Sequence, residues 1–410
     1  MILSRTFEIK KDKWLNEQFN LSTLLYNQGR HFINEHYNKE SKFLSYYDLD
    51  KLLKNLTELN FYKQMCKAQV AQQCLRQLNS NYTSYFKTLK DFKRNPSKYK
   101  GMPKPPKYKT KQNGITFTYQ TIKIKERFIV INKEHKVHIP NGVYKEELKN
   151  FKTISFIPFY NKVKVIINYE TKELNTDLNA NDYLSIDLGM NNLCSCVSKD
   201  ECFILNGKPL KSINRFYNKK LGKLQSERPL KGGKQDFNYN SSKIYNLSYK
   251  RNNKINDFLH KASKYLVNFC VEHKIGTIVI GRNKEWKDSI QLGKFTNQKF
   301  VFIPFYKLFK MIEYKCKRIG INLVTQEESY TSKCDSLAFE SIEKHNEYKG
   351  SRIKRGLFLS SLGKALNADI NGALNILRKY LIKNVINEFS VIQKIIDRGL
   401  LYRPSRITIY

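Results

Sequence analysis

The segment Tyr183 to Leu193, YLSIDLGMNNL, constrains the fold of this chain more than any other. Leu184, Ile186 and Leu188 alternate with Tyr183, Ser185 and Asp187, the two-residue period of a strand with one buried face. Gly189 then lets the backbone turn beside the carboxylate. Further strands are expected at Leu193–Val197 and Cys202–Leu205, across a turn at Lys199-Asp200, so a meander carries an acid on its first strand. Taken alone, Asp followed by Gly is ordinary turn chemistry, and the order of the elements behind it has to decide.

That order is a long helical region, a strand at Thr277–Ile280, a helix at Pro304–Ile319, a strand at Ile321–Gln326 and a helix from about Ile370 to Leu381. A meander followed by alternating helices and strands predicts an α/β sheet with helices packed on it. It resembles the ribonuclease H-like, RuvC-type nuclease fold, a resemblance that implies a metal-binding role for Asp187.

Upstream, Ile2–Ile9 reads as a strand and Gln18–Phe92 as a helical block. Within that block Val70, Cys74, Leu75, Leu78, Tyr82, Tyr85, Phe86 and Leu89 form one apolar stripe at helical spacing. Opposite lie Gln69, Gln72, Gln73, Arg76 and Gln77; such a face is commonly only solvated, yet Gln pairs bidentately with adenine and Arg with guanine. Residues Asp91 to Gln112 turn to Lys, Arg and Pro, including Lys104, Lys107 and Lys109, an extended basic run suited to phosphate contact. Strands at Ile115–Tyr119, Thr121–Lys125, Phe128–Asn132, Ile154–Tyr160 and Lys162–Tyr169 make a small β domain that Ile2–Ile9 could join, and Glu173–Asn181 reads as a polar linker.

A chain of 410 residues exceeds one core, so two or three domains are expected. Its 74 Lys and Arg against 36 Asp and Glu give a net charge of +38, which calls for a polyanionic partner. The basic residues concentrate between Gly207 and Lys254, where two helical flanks, with Lys219 and Lys220 on the first, bracket a polar loop at Arg228–Asn240. Hydrophobic content of 40% argues against disorder, and 26 Tyr and 25 Phe include rings that could stack on bases. No apolar run reaches the ~20 residues of a membrane span, the start lacks a secretory pattern, and eight cysteines contain no CxxC pair. A reduced, cytoplasmic, nucleoid-associated protein with no membrane partner is the expectation.

Two further acidic places stand at the ends of the right elements. The Ile321–Gln326 strand runs into Glu327-Glu328, and Asp369 begins the last helix; in isolation these read as a loop-end pair and a cap. Successive strand residues point to opposite faces, so at most one of Glu327 and Glu328 can face Asp187 while the chain stays extended.

The segments DLGMNNL, EESYTSK, YKGSRIKRGLF and NADINGALNILRK, with KAQVAQQCLRQL and PKPPKYK, resemble the TnpB (OrfB) family of transposon-encoded RNA-guided nucleases, relatives of type V CRISPR effectors. The likeness runs over nearly the whole chain. It implies a multidomain α/β and all-β protein: a wedge β domain at 1–17 and 93–172, a helical recognition domain at 18–92 inserted in it, and a linker at 173–181. A RuvC-like nuclease domain would follow at 182–333 and 366–410, with a basic insert at 334–365 where the family carries its zinc ribbon. Asp187 and Asp369 match the family's first and last catalytic carboxylates. The middle one normally ends the Thr277–Ile280 strand, where this chain has Gly281; related branches place it three residues before the TSK threonine, which here is Glu328. Glu327 and Glu285 are the competitors.

The resemblance implies two Mg2+ or Mn2+ ions per site on Asp187, Glu328 and Asp369, the hard oxygen donors such ions select. It also implies a guide RNA from the transposon end and a double-stranded DNA target cut beside a short target-adjacent motif. Of the zinc ribbon's cysteine pairs only Cys334 remains, so no zinc is expected, and Arg352, Lys354 and Arg355 are expected to contact the target. Two other functions remain open: a nuclease-dead, RNA-guided DNA-binding regulator, and a DNA-strand transposase using the same acidic fold.

Overall fold

The computed structural model describes residues 1–174, 176–231, 234–237, 239–282 and 303–409; Glu285 lies outside them. The chain divides into two compact units, Met1–Lys172 and Glu173–Tyr410.

In the first unit, the strand Ile2–Lys10 pairs antiparallel along its length with Lys162–Glu170, which pairs in turn with Phe151–Phe159, and that with Ile115–Thr118. The amino-terminal strand thus closes a sheet whose other members lie more than a hundred residues away. A second, three-stranded sheet joins Lys123–Lys125, Phe128–Val130 and Lys136–His138. Its last strand, the three residues Lys136, Val137 and His138, is too short to show a period. Four helices fill the interval: Lys13–Glu40, Tyr46–Lys54, Phe61–Gln64 and Ala68–Arg94. The first begins ahead of the expected boundary at 18, because Asp12 accepts a hydrogen bond from the Leu15 amide (2.7 Å) and caps it. Val70, Cys74, Leu75, Leu78 and Tyr82 of the expected stripe are buried, together with Ala71, whereas Phe86 is exposed.

The second unit is built on a six-stranded sheet in the order Asn322–Gln326, Ile275–Gly281, Asn179–Leu188, Asn192–Ser198, Cys202–Asn206, Ser405–Ile407. The strand Asn179–Leu188 starts inside the segment expected as linker. It is antiparallel to its neighbour Asn192–Ser198 and parallel to Ile275–Gly281, which is itself parallel to Asn322–Gln326. The sheet therefore changes connectivity beside the Asp187 strand, the kind of place where open α/β sheets bind ligands at strand carboxyl ends.

The alternation in this strand sorts the two faces. Leu184, Ile186 and Leu188 pack into one core with the helices Lys208–Ser226, Ser241–Glu272 and Phe305–Ile319. Tyr183 belongs to a core on the other face, with Ala373, Leu374 and Leu377 of the helix Ala368–Lys383. Between the two basic helices the expected loop contains a short antiparallel strand pair, Leu230–Lys231 with Lys234–Gln235. The expected tail is also structured: a helix at Glu388–Asp397 precedes Ser405–Ile407, which adds a parallel edge strand beside Cys202–Asn206. Residues 334–367 hold a three-stranded sheet, Ser351–Lys354, Leu357–Leu359 and Ala365–Asn367. No described helix is long and apolar enough to cross a membrane.

Candidate active site

Asp187 sits one residue from the carboxyl end of its strand, on the face covered by the helix Ala368–Lys383. That helix lies very close to the strand: the Ser185 hydroxyl donates to the Ala373 carbonyl at 2.5 Å. A Cβ on Gly372 would stand 2.9 Å from Asp187 Oδ2, so only glycine admits the carboxylate at this distance. One turn earlier the same helix carries Asp369. Its cap is Asn367, whose side chain accepts from the Asp369 and Ile370 amides, so Asp369 lies in the first turn rather than at the cap.

The third acid arrives from the neighbouring parallel strands. Ile280 is level with Ile186, and Gly281 is paired with Gln326, two residues before Glu328. A side chain on Gly281 would overlap the Glu328 carboxylate and Ile376. Glu328 thus fills the space that a residue ending the Ile275–Gly281 strand would have used. The adjacent Glu327 turns away: it pairs with Lys379 at 2.5 Å and accepts from the Ser329 amide at 2.6 Å and from the Ser329 hydroxyl. The strand ends at Gln326, yet the two acids still diverge as strict alternation would require.

Electrostatics links the three. Burial raises the proton affinity of Asp187 well above the usual carboxylate range, and the charges of Glu328 and Asp369 raise it further; Arg352 offsets part of this. Burial, with a contribution from Glu327, pushes Glu328 up to about 7. Like charges held together in a poorly solvated place are what a divalent cation relieves, and the donors are all hard oxygens. Among the described residues no three His, Cys, Asp or Glu side chains are gathered closely enough to hold one ion as they stand. The donor set itself, three carboxylates, is of the hard-oxygen kind that Mg2+ or Mn2+ selects. Cys334 and His345 face elsewhere: the thiol approaches the Glu343 carbonyl (3.7 Å) and the imidazole contacts the Ser341 carbonyl (2.8 Å).

Several positioning residues escaped the sequence reading. Asn371 and Asn375, both fully buried, donate to the Cys334 carbonyl at 2.9 and 2.7 Å, and Asn375 also donates to the Thr331 carbonyl. The Thr331 amide and hydroxyl in turn bond the Glu328 carbonyl. The helix Ala368–Lys383 therefore holds both its own acid and the turn that carries Glu328. The signal was present: two asparagines four apart on the buried face of NADINGALN interrupt an apolar stripe.

The basic candidates divide by exposure. Lys219, Lys220, Arg352, Lys354 and Arg355 are exposed, and Arg352 Nη2 stands 3.7 Å from Asp369 Oδ1. In the first unit, exposed Lys104 and Lys107 line a 440 Å³ concavity with Tyr26 and Tyr85. Lys109 instead turns inward over the Tyr26 ring (4.0 Å), bonding Asn113 and Gln77. The glutamine face is also partly committed to the fold. Gln69 bonds Thr118 (2.6 Å) and Gln120 (2.9 Å), and Arg76 donates to the Tyr46 hydroxyl at 3.3 Å, while Gln72 is partly buried. Gln73 is partly buried on the same helix.

Comparison with known proteins matches residues 166–287 to the OrfB_IS605 family, described as a probable transposase, and residues 305–376 to the Cas12f1-like TNB domain. A TnpB-like protein, ORF457 of Acidianus two-tailed virus, is 25% identical over 236 residues, 55% of this chain. The match spans 48% of that curated relative, about half its length. A cryo-EM structure of a Cas12f1–sgRNA–target DNA complex is similar in fold, with a TM-score of 0.58 at 15% identity over 88% of this chain and 81% of that one.

Proposed function

We propose that this chain, a TnpB-family protein, is an RNA-guided DNA endonuclease of insertion-sequence origin. Guide pairing selects the target, and the protein reads a short adjacent motif and the backbone. The observation that carries the reading is the convergence of Asp187, Glu328 and Asp369 from three elements, with Gly281 and Gly372 clearing the space between them. Bound Mg2+ or Mn2+ ions would activate water and stabilise the leaving oxygen. Asp187, Glu328 and Asp369 would hold them; Asn371 and Asn375 would keep the Glu328 turn in place. The charge of +38 and the exposed cations at Lys104, Lys107, Lys219, Lys220, Arg352, Lys354 and Arg355 supply phosphate contacts to RNA and target. With Gln69 and Arg76 bonded within the fold, Gln72 and Gln73 are the stronger motif-reading candidates among the expected four.

The test is to copurify the protein with its RNA, sequence that RNA, and assay cleavage of a DNA library matching the guide beside randomised flanks. Mg2+-dependent cutting that Asp187→Asn abolishes supports the proposal. Equal cutting by protein stripped of RNA would overturn the guided reading, and strand joining without RNA would favour the transposase.

A further inference from the structure

The strand that follows Asp187, Asn192–Ser198, begins with a second device. Asn192 is buried, and its Nδ2 donates to Asp369 Oδ2 at 2.7 Å. Its Oδ1 accepts from Arg406 Nη1 at 3.0 Å. A guanidinium can only donate, so the amide oxygen must face Arg406, which leaves the NH2 to face the carboxylate. Arg406 therefore fixes which way the amide points. Its strand, Ser405–Ile407, is held at the sheet edge by parallel pairing with Phe203–Leu205.

We infer that Asn192, locked by Arg406, is a positioning residue for Asp369: it commits Oδ2 to a hydrogen bond and turns Oδ1 toward the cation side of the site. Oδ1 is the oxygen that Arg352 approaches at 3.7 Å, so it already faces positive charge. A hydrogen-bonded ligand is oriented before the ion arrives, and such outer partners typically influence metal affinity 10- to 100-fold. This inference rests on the nuclease reading and extends it to the last strand of the sheet.

The experiment titrates Mn2+ into the guide-RNA complex by electron paramagnetic resonance, scoring only the bound ion that Asp187→Asn removes. Asn192→Ala is expected to weaken that site about tenfold or more. Arg406→Met should weaken it in the same direction by less, and Arg406→Lys, which keeps a donor, should restore it. Cleavage should show the loss as a higher Mg2+ requirement with the rate at saturating Mg2+ largely retained. Mn2+ affinity in Asn192→Ala and Arg406→Met equal to wild type would overturn the inference. So would a loss confined to Asn192→Ala with a lowered melting temperature, which would make the residue structural. No Asp187-dependent Mn2+ site in the wild-type complex would overturn the nuclease reading itself, and this inference with it.

Discussion

Two groups of carboxylates in the second unit make opposite use of the same chemistry. In the 334–367 region Asp335 is completely buried, and it accepts from the Ser360 and Ser361 hydroxyls, the Ser361 amide, and the Leu337 and Ala338 amides. Nearby, Glu340 accepts from the Asp335 and Lys349 amides at 2.6 and 2.8 Å. Here carboxylates gather hydrogen-bond donors and tie a loop-rich segment together. At the sheet edge, Asp187 and Glu328 are instead buried, which raises the proton affinity of both, and the charges of Glu328 and Asp369 raise that of Asp187 further. A buried acid with a full set of donors is a structural knot; a buried acid repelled by neighbouring carboxylates is what a bound cation would relieve.

The widest separation between the two groups should come from neutralising one acid in each. Asp187→Asn is expected to lower single-turnover cleavage by orders of magnitude with RNA and target binding retained in a gel-shift assay. Asp335→Ala should act through folding, since each buried donor left unpaired costs about 1–3 kcal/mol. A cleavage defect in Asp335→Ala without a lower melting temperature would break the distinction.

Glu327 and Glu328 test it at adjacent residues. Glu328→Gln should lose cleavage nearly as far as Asp187→Asn. Glu327→Gln should lose little, because its pair with the Lys379 ammonium is partly exposed and such pairs contribute ~0–1 kcal/mol. Gly281→Ala should fall between, as the added methyl displaces the Glu328 carboxylate. Full activity in Glu328→Gln, with loss in Glu327→Gln or Glu285→Gln, would reassign the third acid.

A smaller effect lies in stability against pH. Glu328 binds its proton more tightly folded than unfolded. Its stabilising contribution is complete below the ordinary carboxylate range and is lost as pH rises through about 7; Asp187 acts in the same direction. Without divalent ions the melting temperature should fall between about pH 5 and about pH 8, and Mg2+ should raise it more at the higher pH. Glu328→Gln should flatten both trends. A melting temperature indifferent to Mg2+ at high pH would count against a cation site.

Smallest of all should be the response to a zinc-selective chelator. The hydrogen bonds on Asp335 and Glu340 account for the order of the 334–367 region, so the melting curve should not move. Stoichiometric zinc in the purified protein, or chelator-induced melting of this region, would show that a metal shares that work.

The sequence by itself determined the acid-bearing strand, because a two-residue alternation assigns faces without knowledge of neighbours. The apolar stripe on Ala68–Arg94 was legible for the same reason, and the helix Ala368–Lys383 was legible as the 370–381 run. Only the tertiary structure decided the pairings that join distant segments: Ile2–Lys10 with Lys162–Glu170, Ser405–Ile407 with the sheet edge, and Asn192 between Arg406 and Asp369. It also separated Glu327 from Glu328, which no local period could do once the strand had ended, and brought Glu328 into the space beside Gly281. Local periodicity records which face of an element is buried. Which elements share that face depends on chain packing over long separations, where no short sequence window carries the contact.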